Sequence, residues 1–156
     1  MSLDLNLPDA SATERLGAAL GRGVAPGRVL HLKGELGSGK TTLVRGLLHG
    51  LGYPGRVGSP TYTLVEPYEV SSLHFYHFDF YRLRDPKEWL SSGLGDYFNA
   101  DSVCIVEWPE RAGPTLPGPD LQISLSHAGN ARRARLEAFT PAGEAWLSSL
   151  RFSSAP

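Results

Sequence analysis

The sequence predicts an α/β layer architecture, and three stretches carry that prediction. "RVLHLKG" (28–34) is a short apolar strand running into glycine. "KTTLVRGLLHGLG" (40–52) then places Leu43, Val44, Leu47, Leu48 and Leu51 at helical spacing. "SVCIVEW" (102–108) is an apolar run of β-branched residues, the pattern of a central strand. A strand, a glycine loop and a helix in succession begin a sheet with helices packed on it.

The other elements follow in order. Ser11 and Glu14 have capping-box spacing, with Leu16 and Leu20 on one face, so "SATERLGAAL" is expected to be a helix. The helix from Lys40 meets stop signals at Gly50 and Gly52. "PTYTLVEPY" and "LHFYHFDFY" are rich in β-formers and flank "EVSS", which predicts a hairpin. "DPKEWLSSGL" opens a helix with Asp85 as N-cap, Pro86 in the first turn and Glu88 completing the box. "PERAGPTLPGPD" is dense in proline and glycine and is expected to be a loop. "LQISLS", "HAGN" and "RRARLEAF" predict a closing hairpin, and "TPAGEAWLSSL" a last helix capped by Thr140. No repeat or long linker divides the chain, so residues 1–156 are expected to form one domain.

Composition narrows the function classes. With 41% hydrophobic and 20% charged residues the chain is too apolar for disorder. A formal net charge of -1 leaves no overall basic footprint for nucleic acid or an anionic membrane. Arg132, Arg133 and Arg135 form the one dense basic cluster, expected as a solvated hairpin face. Cys104 is the single cysteine and is expected to be a small buried hydrophobe. "MSLDLNLPDA" lacks the basic and apolar regions of a signal peptide, and no segment is apolar enough to span a bilayer. A reducing, cytoplasmic location without membrane association is the expectation.

The strongest signal is "GELGSGKT" (34–41), which fits G-x-x-x-x-G-K-[ST] between an expected strand and an expected helix. Glycines let the backbone wrap a polyphosphate, so the N–H groups of Glu35 through Thr42 can point at its oxygens. The start of the helix adds its positive dipole end. Lys40 is expected at the β- and γ-phosphates, and the Thr41 hydroxyl at a magnesium ion.

Such a loop needs a second magnesium anchor, usually an acid ending an apolar strand. Glu107 ends "VCIV" and fits that setting; Asp79, within "HFYHFDFYRL", is the other candidate. Alternation along a strand puts Phe78 and Phe80 on one face and His77, Asp79 and Tyr81 on the other. Asp79 is therefore read as a base, a water-orienting group or an outer-shell metal partner. The same alternation separates His74 from His77 and argues against a zinc pair. In "GSPTYTLVEPY", Ser59 or Thr61 could sense the γ-phosphate or complete the magnesium shell, while Pro60 equally suits a plain entry into a strand.

With these residues in place, "GELGSGKTTLVRGLLHGLG", "VGSPTYTLVEPY", "YHFDFYRLRDPKEW", "GLGDYF" and "CIVEWPER" resemble the TsaE (YjeE) family, small bacterial ATPases required for threonylcarbamoyladenosine modification of tRNA. The likeness runs from "ATERLG" to the terminal hairpin. It implies a P-loop NTPase-like three-layer α/β fold with a mixed sheet whose last strands form an antiparallel hairpin. It implies ATP hydrolysis with Mg2+ held by Thr41 and Glu107, and catalytic roles for Lys40, Asp79 and Thr61 beside the γ-phosphate. Glu35, Leu36, Gly37, Ser38, Gly39, Lys40, Thr41 and Thr42 would hold the phosphates, with the base between Thr13 and Arg132 and with Trp108 shaping the pocket. It also implies action with a TsaB–TsaD complex, with tRNA met only indirectly through those partners.

Two rivals are weaker. A P-loop small-molecule kinase needs an arginine-bearing lid, and "PERAGPTLPGPD" has one arginine and much proline. A nucleotide-sensing module without turnover is the non-enzyme alternative; no N-K-x-D segment for guanine is present.

Overall fold

The computed structural model describes residues 1–60 and 62–154. Among these, seven strands form one sheet: β1 (Ser2–Leu7), β2 (Val29–Lys33), β3 (Val65–Val70), β4 (Leu73–Asp79), β5 (Ser102–Glu107), β6 (Leu121–Ala128) and β7 (Ala131–Ala138). The helices are α1 (Ala10–Arg22), α2 (Lys40–Gly50), the single turn α3 (Lys87–Leu90) and α4 (Pro141–Ser149). The strand order is β1-β7-β6-β2-β5-β4-β3. Strands β6, β2, β5 and β4 run parallel, and antiparallel pairing adds β7 and β1 on one side and β3 on the other. The sheet is mixed and the chain's last two strands, β6 and β7, form an antiparallel hairpin, as the resemblance implied. The loop after β2 leaves the sheet between β6 and β5, at the carboxyl ends of the parallel strands, where open α/β sheets place ligands.

Alternation along the strands divides the core in two. Leu30, Leu32, Val103, Ile105 and Ile123 pack with Leu16 and Leu20 of α1, Leu43 and Leu47 of α2 and Trp146 of α4. Cys104 and Val106 take the other face, with Phe78, Phe80, Trp89 and Leu116. That second layer is built from α3 and 3-10 turns at Leu94–Tyr97, Pro109–Arg111 and Gly113–Thr115. Cys104 is buried, which pushes its thiol up to about 12 and leaves it inert.

Helices α1 and α2 touch backbone to backbone. A Cβ on Gly46 would lie 2.1 Å from the Glu14 carbonyl oxygen, and one on Gly17 2.2 Å from that of Leu43. This contact sets Thr13 beside Gly39 at the mouth of the loop.

Four local expectations change. Helix α1 begins at Ala10, one residue before Ser11: Asp9 is the N-cap and accepts from the Ala12 N–H at 2.8 Å, while Ser11 Oγ accepts from Arg15 instead. Only half of the Asp85–Glu88 box forms: Glu88 Oε1 accepts from the Arg84 and Asp85 N–H groups, but Asp85 Oδ1 takes the Lys87 N–H, and Pro86 rather than Asp85 is the N-cap of the single turn α3. The chain then leaves the helix through Gly93 at φ 81. The loop at 109–120 holds two of the 3-10 turns. The opening "SLDLNL", considered above only as a leader, is the edge strand β1 on β7. The β3–β4 hairpin turns on Ser71 and Ser72, both left-handed, as a two-residue turn requires. No helix among the described residues is long and apolar enough to cross a membrane.

Candidate active site

The loop after β2 is shaped by glycine where no other residue fits. At Gly34 (φ 150) a Cβ would stand 2.5 Å from Ser38 Oγ and 2.6 Å from the Leu125 carbonyl. Gly39, at φ 105, is the N-cap of α2 and supplies no side chain to its first turn, so that turn's N–H groups are left for a ligand. Lys40 folds back over the loop, its Nζ donating to the Gly34 and Glu35 carbonyls and standing 4.6 Å from the Trp108 ring centroid. Burial lowers the Lys40 pKa, against the opposing charges of Glu107, Asp79 and Glu110. The Ser38 hydroxyl is buried without a partner.

The two acids considered as alternatives are both present. Asp79 ends β4 and Glu107 ends β5, directly opposite in register. Glu107 is 3% exposed, and its Oε2 accepts from Thr41 Oγ1 at 3.2 Å and from His77 Nε2 at 2.6 Å. Thr41 Oγ1 also shares a 2.6 Å hydrogen bond with Ser59 Oγ. Asp79 Oδ1 accepts from the Tyr81 N–H at 3.0 Å. Burial raises the Asp79 carboxyl above its ordinary value; the Tyr81 bond opposes this and the Glu107 charge adds to it.

Trp108 follows Glu107 in a left-handed conformation, φ 56 and ψ 49, which costs a residue with a Cβ roughly 1–2 kcal/mol. The turn sets its ring 5.1 Å from that of Tyr81, with the Arg111 guanidinium 5.6 Å from both rings.

Two cavities flank the loop. One, of about 230 Å3, is lined by Lys40, Thr41, Ser59, Asp79, Glu107 and Trp108. The other, of about 240 Å3, is lined by Thr13, Ser38, Thr42 and Arg132, with Asp9 and Asn130. Gly37 and Gly39 border both, and Arg132 Nη2 donates to the Gly37 carbonyl at 3.2 Å. The fold thus brings Glu35 through Thr42 together with Thr13 and Arg132 on one side and Asp79 and Glu107 on the other. Thr61 lies outside the described residues. Asp9 and Asn130 were not singled out from the sequence; only a cap position and a hairpin tip marked them. His77 shares a face with Asp79 as expected, but it is wholly buried against Glu107 and does not reach the cavity. Arg133 and Arg135 are exposed, and Arg135 pairs with Asp4 and Glu137, as a solvated face requires.

The oxygen donors suit magnesium. Thr41 and Glu107 offer a hydroxyl and a carboxylate, the kind of small protein contribution that magnesium completes with phosphates and water. Among the described residues no three His, Cys, Asp or Glu side chains gather as they would around zinc.

The model for "Threonylcarbamoyl adenosine biosynthesis protein TsaE" matches residues 7–135. The chain belongs to the TsaE family. Similar proteins are named "tRNA threonylcarbamoyladenosine biosynthesis protein TsaE". The one from Haemophilus influenzae is 46% identical over 121 residues, 78% of this chain and 77% of its own. The one from Bacillus subtilis is 41% identical over 129 residues, 83% and 78% of the two chains. The crystal structure of Bacillus subtilis YdiB superposes with a TM-score of 0.79 at 30% identity, covering 95% of this chain and 93% of that one. The TsaE model thus spans both the loop and the acids of β4 and β5.

Proposed function

We propose that residues 1–156 act as one magnesium-dependent ATPase domain that supports threonylcarbamoyladenosine modification of tRNA in the cytoplasm, in concert with a TsaB–TsaD complex. The observation that carries this reading is the convergence of Lys40, Thr41, Asp79 and Glu107 on one cavity at the mouth of the glycine loop. Family membership and the names of the relatives support the tRNA pathway.

The loop N–H groups from Glu35 to Thr42 bind the phosphates, and Lys40 exchanges its two loop carbonyls for β- and γ-phosphate oxygens. Thr41 and Glu107 hold magnesium, which neutralises charge on the phosphate oxygens when bound. Asp79 orients the attacking water; a carboxyl raised by burial is also a better proton acceptor. Ser59, already on Thr41, ties the following loop to the site, and Thr61 in that loop is assigned to the γ-phosphate. Thr13 and Arg132 border the base.

Turnover of ATP should be measured alone and beside a TsaB–TsaD pair, for wild type, Asp79→Ala, Glu107→Ala and Thr61→Ala. A slow basal rate, accelerated by the partners and lost in the three variants, is expected. Wild-type turnover by Asp79→Ala under both conditions would remove its assigned role. Phosphate transferred to a small acceptor instead of water would make the protein a kinase.

A further inference from the structure

The geometry assigns His77 as the residue that positions Glu107 for magnesium, an inference resting on the ATPase reading above. Glu107 is an acid at the buried end of β5, where every residue from Ser102 to Glu107 is buried. Such a carboxylate keeps a defined place only through its hydrogen bonds. Both of those bonds fall on Oε2, one from Thr41 and one from His77. They leave Oε1 for the cavity that Glu107 lines.

Of the two donors, Thr41 is itself assigned to the metal and shares its hydroxyl with Ser59. His77 makes no second hydrogen bond among the described residues. Its ring is 0% exposed, and its Nδ1 is buried without a partner, so its one hydrogen bond is the 2.6 Å contact to Glu107. The facing carboxylate requires the hydrogen on Nε2. An apolar side chain in that place would carry no unsatisfied nitrogen, so the ring is costly as packing alone. What it supplies is orientation.

The sheet explains how the ring reaches. His77 is paired in register with Ile105, two residues before Glu107, and lies on the same face of β4 as Asp79. Its imidazole meets the carboxylate at Oε2 from within the core and does not line the cavity. His77 is fully buried, lies outside the cavity lining and acts through Glu107: it is a positioning residue. Without it Glu107 keeps only the bond from Thr41, and its Oε1 is no longer held toward the cavity. Partners in this outer position typically contribute about 10-fold to 100-fold in metal affinity.

The test is ATP affinity by titration, with magnesium and with a chelator, for wild type, His77→Leu, His77→Asn and His77→Gln, each checked for folding by thermal melting. The magnesium concentration giving half-maximal affinity gain is expected to rise about 10-fold or more in the Leu variant. Its affinity in chelator should stay at the wild-type value. The Asn amide stops short of Glu107 and is expected to behave like Leu, which covers the case of a poorly folded Leu variant. The Gln amide reaches the Nε2 position and should restore the response. A wild-type magnesium response in both the Leu and Asn variants, or an equal affinity loss with and without magnesium, overturns the inference alone. A wild type whose ATP affinity ignores magnesium overturns the reading beneath it and the inference together.

Discussion

Asp79 and Glu107 stand side by side at the carboxyl ends of the parallel strands β4 and β5, paired in register. Their environments differ. Glu107 accepts two side-chain hydrogen bonds, from Thr41 and His77, whereas Asp79 has one backbone N–H and a carboxyl raised by burial. Two neighbouring acids held in unlike surroundings are suited to unlike tasks. Asp79→Asn is expected to lower the ATP turnover rate by about 100-fold to 10,000-fold, the usual range for a lost base, with ATP affinity little changed. Glu107→Gln should instead weaken the magnesium-dependent part of ATP binding. Turnover and binding measured on the same two variants check the division.

Lys40 is held by two loop carbonyls and the Trp108 ring, and burial disfavours its charge. A lysine whose pKa is lowered on folding costs stability at neutral pH. Lys40→Met is therefore expected to melt no lower than wild type while losing ATP affinity by roughly 100-fold or more, since charge-assisted bonds contribute about 1.5–3 kcal/mol each. Calorimetric titration and a thermal melt on one preparation read both.

The α1–α2 contact leaves no space at Gly46, where a Cβ would meet the Glu14 carbonyl at 2.1 Å. Gly46→Ala should destabilise by about 2–3 kcal/mol, as overpacking against backbone does. Gly118→Ala is the control: nothing lies within 4 Å of a Cβ there. Urea unfolding of the pair is the measurement. Equal midpoints would show that the helices separate freely.

His31, on β2, is buried with Nε2 unpartnered, and burial lowers its pKa to about 4. The unfolded chain binds that proton near the ordinary pKa of 6.5 and the folded chain resists it. Stability contributed by the neutral ring is thus present above about pH 6.5 and lost as pH falls toward 4. The loss amounts to up to about 3 kcal/mol. His31→Leu should flatten that acid limb. Urea midpoints at about pH 7.5 and about pH 4.5 decide it.

Much of the fold was legible because its signals are local. The helical period of Leu43, Val44, Leu47 and Leu48, the apolar run "SVCIV" and the Thr140 cap each act within a few residues. β1 was missed although Leu3, Leu5 and Leu7 alternate, because a six-residue edge strand exists only through its partner β7. The helix at Lys87 is shorter than its capping box suggested, because serines and glycine follow Leu90 at once.

The amino-acid sequence by itself determined the phosphate loop, the two acids and the family, since each is carried by residue types at short, fixed spacing. It also determined that Asp79 and His77 share a face, which follows from the pleat of a strand. Only the tertiary structure decided that Glu107 and Asp79 are neighbours, since β4 and β5 are brought into register by pairing across the sheet. It decided too that His77 turns inward onto Glu107 and Asp79 toward the cavity, because burial and hydrogen bonding depend on what the rest of the chain packs around each side chain.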